Sequence, residues 1–139
     1  MNRRRASLLS AHREPTEPVI DLRREFSREL ARSRRFGQSV SVLAAPTANA
    51  AQEREVFETL ELHLRRYDVV GRLDGAVVVL APDTGRSEAD ALLARLDTMT
   101  TNEVASSLGV AVAPQDGDEL DAVLQIAMNR SLTRPGGIR

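Results

Sequence analysis

The segment from Val69 to Ala81, VVGRLDGAVVVLA, limits the folds open to this chain more than any other. Two apolar runs meet at Asp74-Gly75. A two-residue Asp-Gly loop in that setting predicts a β-hairpin with a type I′ turn, whose two central residues both need positive φ. The run Ala76 to Ala81 contains no polar residue. A hairpin alone is marginal in water, so the rest of the chain must supply the cover.

The flanking segments supply it with helical periodicity. Leu22, Phe26 and Leu30 recur every fourth residue in a helix expected from Pro18 to Arg35, with a heavily charged outer face. Val56, Phe57, Leu60 and Leu64 mark a second helix, Ala50 to Arg66. Ala89, Leu92, Leu93 and Leu96 mark a third, Ser87 to Met99, with Pro82 to Gly85 offering its caps. Strands are expected over Ser39 to Ala44 and over Val104 to Val112. Asp116 and Glu119 have capping-box spacing ahead of a fourth helix that turns Leu120, Val123, Leu124, Ala127 and Met128 inward. Pro135-Gly136-Gly137 ends it. The order is helix, strand, helix, hairpin, helix, strand, helix. It predicts an α+β fold, with a mixed sheet around the central hairpin and helices on both sides. Residues 1–18 have no periodicity and are expected to be a flexible tail; residues 19–139 form the domain.

Composition removes several classes of function. A chain of 139 residues suits one domain plus a tail. Net charge is −1, so no global field draws the chain to nucleic acid or to a membrane surface. There is no cysteine, hence no disulfide and no thiolate metal site. No apolar run approaches the ~20 residues of a membrane span. The opening MNRRRASLLSAH has too short an apolar stretch for a signal peptide, so a cytoplasmic location is expected. All 19 basic residues are arginine, which excludes any mechanism that needs lysine. Codon usage in a GC-rich genome accounts for such a bias; forked contacts to phosphate or guanine are the alternative. Arg3-Arg4-Arg5 is a short basic patch in the tail. His12 and His63 have no partner at metal-ligand spacing and are read as surface or structural residues.

Several stretches in this order resemble the GGDEF family of diguanylate cyclases, from about Leu22 to Gly137. REFSRELARSRRFGQSVSVLAA is similar to the family's entry helix and first strand. LELHLRRYDVVGRLDGAVVVLAPDT is similar to its helix, Arg-x-x-Asp segment, signature hairpin and Pro-Asp-Thr stop. ASSLGVAV resembles its Ser-Ile-Gly-Val-Ala strand, and DELDAVLQIAMNRSL its last helix. The resemblance implies joining of two GTP molecules, one per subunit, into cyclic di-GMP. It also implies a Mg²⁺ held by one carboxylate after the first strand and another on the signature turn. This chain departs from that pattern. Ala45-Pro46 stands where the family has its first acid, and only Thr47 to Ala51 replaces the guanine-contacting segment. The signature falls on Asp74-Gly75-Ala76-Val77-Val78; counting back from Pro82 shifts it by one residue. Either way no carboxylate follows Gly75. The family's later Ala-Asp and Lys positions hold Ala127-Met128 and Pro135, while Ser107 and Gly109 persist as strand residues. Asp74 is therefore read as turn chemistry, Asp74, Gly75 and Ala76 as a degenerate signature turn, and the chain as having no catalytic residue, no metal and no cofactor.

Arg65-x-x-Asp68 lies at the family's distance before the signature, where the resemblance implies an inhibitory cyclic di-GMP site. Arg forks onto guanine or phosphate, and Asp accepts from a guanine edge. Arg66 and Arg72 would add positive charge. A plain Arg65–Asp68 pair at a helix end is the alternative. The expectations are an inactive GGDEF-like signalling or adaptor module with an unidentified protein partner, or a cyclic di-GMP receptor through Arg65, Asp68, Arg66 and Arg72. A residual cyclase stands third. The first reading allows a homodimer through the first helix; nucleic acid is not an expected partner.

Overall fold

The structure is a computed structural model and describes residues 21–99 and 107–133. The expected tail, the start of the last strand at Val104 and the Pro135-Gly136-Gly137 stop lie outside the described residues. The elements are α1 (Leu22–Arg35), β1 (Val40–Pro46), α2 (Ala50–His63), β2 (Val69–Leu73), β3 (Ala76–Ala81), α3 (Arg86–Met99), β4 (Gly109–Ala113) and α4 (Leu120–Thr133).

The four strands form one sheet in the order β2-β3-β1-β4. Each neighbouring pair is antiparallel, where the sequence pattern suggests a mixed sheet. The reason is topological. β1 and β2 run the same way, but β3 lies between them and pairs with both, the split βαβ arrangement. The hairpin forms where expected: Asp74 has φ 54° and Gly75 φ 76°.

Strand alternation divides the core in two. Val40, Val42, Ala44, Ala76, Val78 and Leu80 face α1 and α4, meeting Leu22, Phe26, Leu30, Leu120, Val123 and Leu124. Leu43, Ala45, Val77, Val79 and Ala81 face α2 and α3, meeting Val56, Leu60, Leu92, Leu93 and Leu96. β3 is buried along its whole length, which explains its unbroken apolar sequence.

Polar side chains set the helix starts. The Asp21 carboxylate accepts from the Arg24 N–H at the head of α1, and the Asn49 side chain from the Gln52 N–H at the head of α2. The Gly85 N–H donates to Glu88 at the head of α3. Two expectations are corrected here. The second helix ends at His63 rather than Arg66, because the Asp68 carboxylate captures the Arg65 N–H at 3.0 Å and closes a turn that competes with another helical turn. Asp116 does not cap α4, which begins at Leu120. Its carboxylate instead accepts from the Val112 N–H at 2.8 Å and from Arg130 at 2.9 Å.

The Asp116–Arg130 pair ties the β4–α4 loop to the body of α4. The Arg130 hydrogen bond holds the Asp116 carboxyl below its ordinary value of 3.8, with help from the Val112 N–H and against the opposing effect of burial. The folded state thus binds this proton less tightly than the unfolded chain. The pair contributes stability above the unfolded value, and that contribution is lost as pH falls through the lower folded value. Asp116→Asn is expected to reduce stability at neutral pH and to flatten the acid limb of the stability profile below about pH 4. Urea unfolding of both proteins between about pH 7 and pH 3 measures it.

Candidate functional site

The end of β1 and the base of the hairpin meet in one corner. Register places Ala45 opposite Val77 and Pro46 opposite Ala76. Ala45, Ala76 and Val77 have no exposed surface. Beyond Pro46, the Thr47 N–H and hydroxyl both donate to the Gly75 carbonyl oxygen, at 3.0 and 3.2 Å. These bonds close the turn against the strand end.

Mg²⁺ takes hard oxygen ligands in near-octahedral geometry. This corner offers methyl groups, a proline ring and one hydroxyl already committed to Gly75. Asp74 projects 62% exposed and lies 4.0 Å from Arg23 of α1, which also holds Asp121 of α4 at 3.0 Å. Among the described residues, no group of three or more His, Cys, Asp or Glu side chains is placed to hold a metal ion. The residues present therefore do not fit the metal that the resemblance implies, and no chemical step passes through one here.

The second cluster lies in the loop between α2 and β2. Asp68 has a fully buried side chain. It accepts from the Arg65 N–H, from Arg65 Nε at 3.1 Å and from Arg65 Nη2 at 3.0 Å, while the Asp68 N–H returns a bond to the Arg65 carbonyl. The Asp68 hydrogen bond raises the Arg65 pKa above its ordinary value, so the guanidinium is charged at every accessible pH. Arg65 also stacks 4.7 Å over the Tyr67 ring and donates to the Thr84 hydroxyl at 2.8 Å.

The other two arginines part company with this pair. Arg66 is exposed beside it. Arg72, on β2, turns onto α2, where it pairs with Glu53 at 3.1 Å and stacks 4.0 Å over Phe57. His63 is the last residue of α2, and its carbonyl accepts from Arg95. Ala127 is buried in the α4 core.

Thr84 is the member of this cluster that sequence reasoning missed. It is 1% exposed. Its hydroxyl donates to the Pro82 carbonyl, its N–H to the Ser39 carbonyl, and its own carbonyl accepts from the Ser41 hydroxyl at 2.7 Å. Asp83, also missed, has φ 53° and accepts from Ser33 and Arg32 of α1. The Pro-Asp-Thr stop was the only signal for either, and it marks a turn without naming partners. A shallow cavity of about 320 Å³ lies alongside, lined by Glu29, Arg32, Tyr67, Pro82 and Asp83.

With this geometry in place, the chain can be set beside solved structures. It matches the GGDEF domain of YfiN (TpbB) from Pseudomonas aeruginosa at a TM-score of 0.62 and 16% identity, over 81% of this chain and 85% of that one. A sensory box/GGDEF family protein from Caulobacter crescentus gives 0.63 and 18%, over 82% and 89%. Diguanylate cyclase SiaD of Pseudomonas aeruginosa, solved in complex with its activator SiaC, gives 0.64 and 22%, over 94% and 62%. No protein-family model and no curated protein matches the chain. The chain thus has a GGDEF-like fold. No helix among the described residues is long and apolar enough to cross a membrane.

Proposed function

We propose that this chain is a GGDEF-like module of cyclic di-GMP signalling that does not make cyclic di-GMP and works through contacts with other proteins. The observation that carries this reading is the corner of Ala45, Pro46, Ala76 and Val77. Its side chains present no oxygen to a divalent cation. A triphosphate needs its charge offset by metal or by cations, and the nearest charge on the turn, Asp74, is negative. That SiaD was solved with an activator protein supports protein contact as a mode of action for this fold. Titration calorimetry with Mg²⁺ and a non-hydrolysable GTP analogue tests the claim; no heat is expected at high micromolar ligand, and saturable binding would overturn it.

One observation favours a second reading, a cyclic di-GMP receptor. Arg65 stacks on the exposed Tyr67 ring, and Tyr67 lines a hollow together with Arg32, a setting in which bases stack and phosphates find arginine. Against it, the acceptor positions of Asp68 are largely filled by Arg65, so a guanine edge would have to displace an existing pair. Titration with cyclic di-GMP, repeated with Arg65→Ala, separates the readings. The protein-contact reading predicts no heat from either protein.

A further inference from the structure

β4 stands at the margin of the sheet and is nonetheless buried from end to end. The strand order puts β2 at one edge and β4 at the other, and among the described residues β4 pairs only with β1. All five of its residues, GVAVA, are buried. An edge strand offers a row of backbone groups to any strand that approaches, and charge along it discourages the approach. β2 carries the exposed Arg72 in its middle. β4 carries no charge, no polar side chain and no proline. Its protection comes from residues outside the strand.

The chain doubles back after β4 and returns Asp116 to the strand it has just left. The Asp116 N–H donates to the Val112 carbonyl at 2.7 Å, and its Oδ2 accepts from the Val112 N–H at 2.8 Å. Arg130 of α4 reaches the same edge. Its Nη1 donates to the Val110 carbonyl at 3.0 Å and to Asp116 Oδ2 at 2.9 Å, and its Nη2 donates to Oδ1 at 3.3 Å. One forked guanidinium thus holds strand and loop together. Arg86, at the start of α3, stands 3.8 Å from Asp116 Oδ2. The Val110 and Val112 groups named here point away from β1, because each bonds a residue outside the sheet. The Arg130 side chain is 41% exposed, so an approaching strand would meet it first.

From this we infer that Asp116 and Arg130 form a latch that closes the β4 edge to strand addition, and that the strand it shuts out is β4 of a second copy. A pair that only tied the loop to α4 would need no contact with the strand. Three of these bonds instead occupy the outward backbone groups of Val110 and Val112. Backbone groups that lose their partners must find others, in water or in a new strand. GVAVA is suited to pair with itself. Two antiparallel copies centred on Ala111 set Val110 opposite Val112 of the other copy, so the freed groups meet in register. The contact is twofold and uses up both edges, so association stops at a dimer. The inference does not depend on whether the chain binds nucleotide.

Sedimentation velocity on the full chain tests it, over one concentration series for the wild type, Arg130→Ala and Asp116→Ala/Arg130→Ala. The double variant should move toward the dimer sedimentation coefficient at concentrations where the wild type does not, and the single variant should move less far. Arg23→Ala/Asp121→Ala, which removes an exposed ion pair between α1 and α4 away from this edge, should sediment as the wild type does. Hydrogen exchange at the Val110 and Val112 amides of an associating variant should slow as concentration rises, because a neighbouring strand then holds them. Circular dichroism monitors folding. Arg130→Ala leaves Asp116 on Val112 and should keep the folded spectrum, so it carries the test if the double variant unfolds. A folded Arg130→Ala chain that associates no more than the wild type, or association without slower exchange at these amides, would overturn the inference. Equal association of Arg23→Ala/Asp121→Ala would overturn it as well, and so would loss of the fold in Arg130→Ala, which would make the pair a structural tie.

Discussion

Gly109→Val should leave little folded protein at temperatures where the wild type is stable, and Gly109→Ala should cost about 3 kcal/mol or more. Gly109 opens β4, directly beneath α4. A Cβ built there would fall well inside van der Waals contact of the Ala127 carbonyl oxygen and of the Ser131 backbone. These are backbone atoms of a helix interior and cannot rotate aside. To admit a methyl group, α4 must lift from β4, which strips cover from Ala111, Ala113, Val123 and Ala127 in one core. It also pulls Ser131, whose hydroxyl bonds the Ser107 carbonyl, away from its partner. Thermal unfolding reads the loss as a fall of roughly 10 °C or more. An unchanged midpoint would mean that α4 does not approach the strand this closely.

Asp68→Ala comes next in size, at about 2–3 kcal/mol. The carboxylate is fully buried and organises the loop through three bonds from Arg65. Without it, the Arg65 guanidinium retains the Thr84 hydroxyl and the Tyr67 ring. Arg65 is 31% exposed, so water recovers part of the loss, which places the estimate below the full cost of breaking a buried pair. Arg66→Ala, at an exposed position in the same loop, should stay within about 0.5 kcal/mol of wild type. Urea unfolding of both variants separates a structural carboxylate from one reserved for ligand. Equal stabilities for Asp68→Ala and wild type would favour the receptor reading.

The local part of this architecture was open to reading because short-range rules govern it. Asp74-Gly75 could form little except a tight hairpin turn, and the four-residue spacing of Leu22, Phe26 and Leu30 put α1 on the core. Where reading went astray, a distant or chemically ambiguous partner decided the outcome. Leu64 to Arg66 carries good helical sequence, yet an aspartate in the loop beyond took the Arg65 N–H. Asp116 had capping spacing, but Arg130, fourteen residues on, drew it away. The direction of pairing in the sheet depends on which strand slots between β1 and β2, and periodicity does not encode that. For the candidate site the lesson is similar. The absence of acids at Ala45 and Ala76 was visible in one dimension, whereas the convergence of Arg65, Asp68 and Thr84 was not, because Thr84 arrives from the far end of β3. Arg72 looked like a companion of Arg65 from its position in the chain; strand alternation instead turned it onto Glu53 and Phe57.

The most direct trial of the central claim is a turnover assay on the full chain with GTP and Mg²⁺, with products resolved by chromatography against a buffer blank. A corner built from Ala45, Pro46, Ala76 and Val77 predicts that no cyclic di-GMP appears above the blank at any enzyme concentration. Cyclic di-GMP that accumulates in proportion to protein, and disappears with Asp74→Ala, would contradict it.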